Sequence, residues 1–325
     1  MTNIATHTQQ LITAATPHPK PTIILGLSGG PDSVFLLHIL NNLRNDGAID
    51  LIAAHLDHQW RPDSVKDVEF CAQLCQKLNV NFISAQASSL ATIKNNGSKE
   101  ELGRKLRRAF FEQTRISHNA DLIALAHHRD DQQETFFLRM LRGATLSGLT
   151  GMNAIERLYV RPLLHVSKQE IVAYLDTNKI AYVTDPTNIS DQYLRNRIRN
   201  SLIPAIKQCD TRFDQNFKKT LDHLQAEDEY LQQQTTANFQ TIFSLNDTLG
   251  HFVGKTKLLA DQHPVMQRRI ILYWLIQEKV PFTPSADFIN EILRFLLSER
   301  GGTHQIGQTI MLHKKQQRCW IEKGN

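Results

Sequence analysis

Between Pro21 and Asn45 the chain reads PTIILGLSGGPDSVFLLHILNNLRN. Pro21–Leu27 is a short apolar run rich in β-branched residues and reads as a buried strand. Val34–Leu43 is mostly apolar and reads as a helix. The segment between them, Ser28-Gly29-Gly30-Pro31-Asp32-Ser33, is built from small residues. Such residues let backbone N–H groups come close to an anion at the start of the following helix, and Ser28 and Ser33 add hydroxyl donors. Asp32 falls in the first helical turn, where it can cap the helix or hold a cation. A glycine turn with a capping aspartate would look much the same, so the loop alone does not choose between these readings.

Two well-known motifs fail here. A Walker A loop needs a glycine where Pro31 stands and then a lysine, and there is none. Gly26-Leu27-Ser28-Gly29-Gly30 matches a nucleophile elbow literally. It lies after the first strand, however, with no earlier strand to supply an oxyanion loop, so a serine hydrolase is set aside.

Outward from the loop, strand and helix patterns alternate. Leu51–Leu56, Val80–Ile83 and Leu122–Ala126 read as strands. Helical stretches lie near Ser64–Leu78, at Ser98–His118 and at Asp130–Leu141. This order predicts an α/β fold with a parallel sheet covered on both faces. From Phe213 to Gln240 the chain is polar and helical, and Met266–Gln277 and Ala286–Leu297 are amphipathic. Gly301–Ile321 turns β-like. The expected division is a nucleotide-binding domain over 1–214 and a mostly helical domain over 215–325.

The length of 325 residues suits two domains. With 41% hydrophobic and 21% charged residues, the composition excludes a disordered, collagen-like or coiled-coil chain. The net charge of +5 is mild and evenly spread, so it admits a polyanionic partner without requiring one. Four cysteines, Cys71, Cys75, Cys209 and Cys319, are too few for a disulfide scaffold and read as reduced thiols. With no basic leader before an apolar core and no run long enough to span a bilayer, the expectation is a cytoplasmic protein with no membrane partner.

SGGPDS resembles the SGGxDS loop of the PP-loop ATP pyrophosphatases. AHLDHQWRPDS at 54–64, RKLRRAFF at 104–111, HRDDQQETFFLRMLRG at 128–143, RPLL at 161–164, DPTN at 185–188 and RNRIR at 195–199 are similar, in order, to the tRNA(Ile)-lysidine synthetase branch of that superfamily. The resemblance covers residues 21–204. It implies a Rossmann-like PP-loop ATP-binding catalytic domain followed by a tRNA-binding one. The implied reaction is a carbon–nitrogen ligation. ATP adenylates the C2 oxygen of the wobble cytidine in the CAU-anticodon isoleucine tRNA. An amino group of free L-lysine then displaces AMP. The implied ATP contacts are Ser28, Gly29, Gly30, Pro31, Asp32, Ser33, Arg107 and His128, and Mg²⁺ at Asp32 is inferred from ATP chemistry and not from a ligand set. Asp131 and Glu134 are implied to hold the lysine, and Asp32, Asp131 and Arg107 to carry the catalysis.

The residues can be weighed on their own chemistry. Asp131 and Glu134 are three apart and share a helix face, while Phe136 and Met140 point the other way, toward a core. Two carboxylates on one face need a cation, or they are a solvated acidic first turn suited to the helix dipole. Arg104, Arg107 and Arg108 oppose the apolar stripe Leu102, Leu106, Ala109 and Phe110. They form either a solvated basic face or a phosphate clamp. Arg195 and Arg199 are i, i+4 and share a face of a short basic helix, which is either a solvated face or, as the resemblance implies, a contact to ATP or tRNA; with Arg104 they are the residues the resemblance assigns to tRNA. His127 is read as structural. His55 and Asp57 lack a third metal ligand, and this stretch is implied to rim the adenine. Asp185 sits in a good turn sequence. The chain looks short for this branch, with one helical C-terminal domain in place of two, and the sequence admits a homodimer without selecting one. The rival enzyme is a PP-loop tRNA thiolase. It needs paired cysteines, and no C-x-x-C exists here. A nucleotide sensor would have no use for Asp131, Glu134, His128 and the arginine clusters together.

Overall fold

The computed structural model describes residues 2–61, 63–90, 99–184, 193–246, 250–282 and 285–324. Pro62, Ser98 and residues 185–188, read from sequence as a turn, lie outside them. The chain divides into two compact units, Met1–Leu221 and Asp222–Asn325.

The first unit opens with α1 (Thr2–Ala15), β1 (Thr22–Gly26), α2 (Pro31–Asn45), β2 (Asp50–Asp57), α3 (Ser64–Lys77) and β3 (Asn81–Gln86). It continues with α4 (Lys99–Ser117), β4 (Leu122–Ala124), α5 (Arg129–Met140), α6 (Leu146–Leu149), β5 (Ile155–Glu156), β6 (Tyr159–Val160) and α7 (Lys168–Thr177). α8 (Leu194–Arg197), a π-helical turn at Ile198–Leu202, α9 (Ile203–Cys209) and the start of α10 (Phe213–Ile242) follow. The six strands lie in the order β3-β2-β1-β4-β6-β5, all parallel except β5, which runs against β6.

The central strands β1, β2 and β4 are mostly apolar because both of their faces are covered, whereas the edge strand β3 is more polar. Ile23, Leu25, Leu51, Ala53, Leu122 and Ala124 face a core filled by α2 residues such as Phe35, Leu36 and Leu40, with Cys71 and Cys75 of α3. The intervening Ile24, Ile52, Ala54 and Ile123 face Leu106, Phe110 and Phe111 of α4. Gly26 ends β1 where any side chain would collide, since a Cβ there would lie 2.9 Å from the Phe111 ring. The parallel α/β reading thus holds.

A smaller cluster settles the placement of the 194–206 segment. Phe137 of α5 packs with Ile198 and Ile203, joined by Phe136, Leu194, Leu202 and Phe213. Phe136 is therefore directed into apolar packing as expected. Met140 is not: it is 46% exposed at the end of the helix.

The second unit contains β7 (Phe243–Asn246), β8 (His251–Lys255), α11 (Thr256–Ala260), α12 (Pro264–Gln277), α13 (Ala286–Leu297), β9 (Gly302–Gln305), β10 (Ile310–Lys315) and β11 (Arg318–Lys323). Its sheet is antiparallel, in the order β7-β8-β11-β10-β9. Trp274, Ile270 and Ile271 of α12 and Ile292 and Leu296 of α13 pack with Leu312 and Ile321 of the sheet. The β-like stretch at 301–321 supplies three strands. β7 and β8 widen the sheet, and their short polar-flanked runs carried no strand signal.

Candidate active site

β1 lies between β2 and β4, and the crossovers leave it in opposite directions. At this switch point the loops after β1 and β4 part, opening a crevice at the carboxyl edge of the sheet. The site is built around those two loops.

The first wall is the glycine loop. Gly29 has φ +84°, a backbone conformation that L side chains rarely adopt, and its carbonyl accepts from the N–H of Val183 at 2.9 Å. The Ser33 hydroxyl donates to the Gly30 carbonyl at 3.0 Å and accepts from the Ser28 N–H at 3.1 Å. Pro31 occupies the first turn of α2, where a missing N–H costs nothing. The other first-turn N–H groups have no partner within the helix and point to the crevice. From below, His55 holds the loop. Its Nδ1 lies 2.9 Å from the Leu27 carbonyl. Burial lowers the pKa of this imidazole, so it is a neutral ring donating from Nδ1.

The second wall is the N-terminus of α5. His128 is buried at the N-cap, and its backbone N–H donates to the Asp131 carboxylate at 2.9 Å. Its Nε2 lies 3.7 Å from Asp32 and 3.6 Å from Asp131, and its Nδ1 lies 3.6 Å from Asp130. Burial opposes charge on this ring, yet the three carboxylates around it raise its pKa above the ordinary value. Burial likewise acts to raise Asp131, but His128, His127 and Arg195 hold it below the usual carboxylate range. Asp130 is held low in the same way by His128, the Lys168 N–H and Lys207. His127 is pushed down to about 4 by burial, with Arg161, Arg195 and Arg104 acting in the same direction.

The cation that the acidic pair needs comes from this same chain. Glu134 is 1% exposed. Its carboxylate accepts from Arg195 Nε at 2.8 Å, Arg199 Nε at 2.5 Å and Arg199 Nη2 at 3.0 Å. Asp131 lies 3.7 Å from Arg195 and 3.9 Å from Arg199. The cluster around Phe137 presses the 194–206 segment onto α5, and the i, i+4 spacing sets Arg199 on the same side as Arg195.

The structure thus brings together Ser28, Gly29, Gly30, Pro31, Asp32, Ser33, His128, Asp131, Glu134, Arg195 and Arg199. Arg195 and Arg199, which the resemblance assigned to tRNA, point at carboxylates. Arg104 stands where its charge acts on His127. Arg107 is exposed on α4, and its charge acts instead on His58, which stacks on Trp60 at 4.5 Å. Arg107 thus lies near the stretch after β2. Arg108 pairs with Glu112 at 3.3 Å and lies 4.8 Å from the centre of the Tyr159 ring. Asp57 accepts from the Gln59 N–H at 2.8 Å, which makes it a turn residue.

Sequence reasoning missed Lys168. Its Nζ lies 2.7 and 2.8 Å from the two Asp32 oxygens. The visible signal was only Ser167-Lys168-Gln169-Glu170, a capping-box pattern that starts a helix.

Residues 1–206 match the model of the PP-loop domain. The chain belongs to the PP-loop family. A tRNA(Ile)-lysidine synthase of Bacillus subtilis is 35% identical over 289 residues, covering 86% of this chain and 60% of that protein. One from Clostridium tetani is 40% identical over 190 residues, 57% of this chain and 40% of that protein. The chain thus spans about 60% of the length of the Bacillus relative. A solved U34-tRNA thiolase, NcsA from Methanococcus maripaludis with its [4Fe-4S] cluster, superposes with a TM-score of 0.55 at 15% identity. It covers 68% of this chain and 80% of that one, and the likeness is one of fold. Among the described residues no helix is long and apolar enough to cross a membrane.

Proposed function

We propose that this PP-loop protein ligates free L-lysine to C2 of the wobble cytidine of the CAU-anticodon isoleucine tRNA, converting ATP to AMP and pyrophosphate. One observation carries the reading. The glycine loop at the N-terminus of α2 faces, across His128, the carboxylates of Asp131 and Glu134 on the adjacent helix. A phosphate cradle and a cation site side by side are what adenylation followed by amine attack requires. The resemblance to lysidine synthases fits this arrangement.

In this mechanism the ATP phosphates lie on the first-turn N–H groups of α2 and the hydroxyls of Ser28 and Ser33. Protonated His128 faces the phosphates and offsets charge as the C2 oxygen attacks the α-phosphorus and pyrophosphate leaves. Arg107 is assigned to ATP. The ammonium of lysine is assigned to Asp131 and Glu134, where it exchanges with Arg195 and Arg199. The other amino group of the lysine, in its neutral form, then attacks C2, AMP leaves, and the proton shed by the new C–N nitrogen passes to solvent. The displaced guanidiniums suit the phosphates of the incoming RNA, as does Arg104.

Mg²⁺ fits at Asp32. Among the described residues no cluster of three or more His, Cys, Asp or Glu could hold a metal. One carboxylate completed by substrate phosphates and water is how Mg²⁺ is commonly held, and there it would neutralise phosphate charge. The Asp222–Asn325 unit is assigned to tRNA binding, and a cytoplasmic location fits that partner.

The thiolase alternative fares worse. Cys71 and Cys75 are buried in the core, and burial pushes both thiols up to about 12, so neither is poised as a thiolate. The test is direct. This chain, incubated with unmodified isoleucine tRNA, ATP and labelled lysine, transfers label to the tRNA with one AMP released per lysine. Absence of label with a competent tRNA rejects the reading.

A further inference from the structure

Asp32 has a clear place in the ATP site, but its partner Lys168 has none. Lys168 is firmly held. It opens α7 just after Ser167, whose hydroxyl accepts from the Glu170 N–H at 3.1 Å while the Glu170 carboxylate accepts from the Ser167 N–H at 2.8 Å. The Lys168 N–H donates to Asp130 at 2.9 Å, and its Nζ spans to Asp32 in the first turn of α2. Three helix N-termini, those of α2, α5 and α7, thereby meet at one place. Each adds positive field, and Lys168 is the ammonium reaching in among them.

Stability does not explain the pair. The Lys168 side chain is 40% exposed and that of Asp32 28%, and ion pairs this open contribute little to folding. Their openness instead leaves the ammonium accessible from the crevice, beside the glycine loop. An ammonium on a flexible stem is a good point-charge ligand for phosphate.

We propose that Lys168 is a ligand of the β- and γ-phosphates of ATP, and of pyrophosphate after cleavage. It leaves Asp32 as those oxygens arrive. The ammonium stays protonated throughout, so no bond to it forms or breaks. The inference rests on the ATP-site reading proposed for the glycine loop.

The experiment is calorimetric titration of the whole chain with AMP, with inorganic pyrophosphate and with ATP. Wild-type protein is compared with Lys168→Ala and Lys168→Arg. Loss of one charge-assisted contact to phosphate should weaken pyrophosphate and ATP by about 10- to 100-fold. AMP should be unchanged, and Lys168→Arg should restore most of the loss. Equal weakening of AMP and pyrophosphate, or no weakening of either, overturns the proposal in favour of a purely structural tie. If the wild-type chain binds pyrophosphate but neither AMP nor ATP, the ATP-site reading fails on its own account and takes this assignment of phosphates with it. A second measurement needs no variant. Amine-selective acetylation of the wild-type chain, read by mass spectrometry, should be blocked at Lys168 by pyrophosphate and not by AMP. Labelling at Lys168 that is insensitive to saturating pyrophosphate overturns the proposal even if the variants fail to fold.

Discussion

Replacing Glu134 by glutamine keeps the shape of the side chain and removes the charge that two guanidiniums share. Breaking a fully buried ion pair costs about 3–5 kcal/mol. Here Glu134 is 1% exposed, but Arg195 and Arg199 are 29% and 38% exposed. Water therefore recovers part of their charge, and the cost falls to about 1.5–3 kcal/mol. For a unit the size of Met1–Leu221, that lowers the melting temperature by about 3–12 °C. The assay is a double-mutant cycle with Glu134→Gln and Arg199→Met, read by calorimetric unfolding. Contact at 2.5 and 3.0 Å predicts a coupling of about 1–2 kcal/mol between the two sites. Effects that add within about 0.5 kcal/mol would mean that the carboxylate and the guanidinium act independently. The reading of Glu134 and Arg199 as an energetically coupled pair would then be refuted. In the ligation assay the same glutamine variant should mainly impair lysine incorporation, and an unchanged lysine dependence would remove Glu134 from that role.

Asp32→Ala should abolish AMP release, checked by thin-layer chromatography of labelled ATP products, and AMP release at the wild-type rate would remove Asp32 from the ATP site. His128 titrates above its ordinary value in the folded chain, so its protonated form adds stability that is complete below about pH 6.5 and fades as pH rises through the raised folded value. His128→Gln should flatten that part of the stability profile, measured by urea unfolding across the pH range, and an unaltered slope refutes the assignment. Asp130 is shifted the opposite way, so its contribution is present above about pH 3.9 and is lost as pH falls through the depressed value. Asp130→Asn should then bring acid unfolding to a higher pH by circular dichroism. Gly29→Ala forces a side chain onto φ +84° and places a Cβ 3.3 Å from Cys71 Sγ. It should cost about 1–2 kcal/mol in thermal unfolding and weaken ATP, and a neutral effect on both would mean the loop relaxes freely.

The parallel sheet was legible because burial on both faces forces uninterrupted apolar strands. Runs such as Ile23–Leu25 and Leu122–Ala124, short and bounded by turn residues, suit a buried strand and little else. The glycine loop was legible for a related reason, since its position after the first strand limits what small residues there can do. The partners of the acidic pair were not legible. Glu134 and Arg199 are 65 residues apart, and their meeting depends on Phe137, Ile198 and Ile203 packing together. That docking carries no charge pattern of its own. The spacing of Arg195 and Arg199 showed a shared face and gave no hint of what the face meets. Lys168 was hidden for a similar reason: it reaches across 136 residues to Asp32 from within an ordinary helix start. β7 and β8 carried no signal because their runs are four and five residues long and gain their apolar surroundings from Phe239 of α10 and Trp274 of α12.

Long-range pairing of this kind also accounts for how little the charge total said about partners. Asp32, Asp130, Asp131 and Glu134 put four carboxylates at the meeting of α2 and α5. Lys168, Arg195, Arg199, Lys207 and His128 answer them within 4 Å. The crevice is therefore close to neutral before any ligand enters, although both halves of it are densely charged. A site in this state does not draw in polyanions by net field alone, which matches the modest +5 of the whole chain. On the proposed function, its substrates would bind by exchange. A phosphate that takes Lys168 leaves Asp32 needing a cation, and an ammonium that takes Glu134 frees two guanidiniums for phosphate. Under this scheme each substrate creates the charge that the next one answers. Pyrophosphate and lysine should then bind with positive coupling, measured by titrating one in the presence of the other. Its magnitude is bounded by the same range, about 1.5–3 kcal/mol per charge-assisted contact, that separates the paired from the unpaired state. Independent binding of the two would refute the exchange.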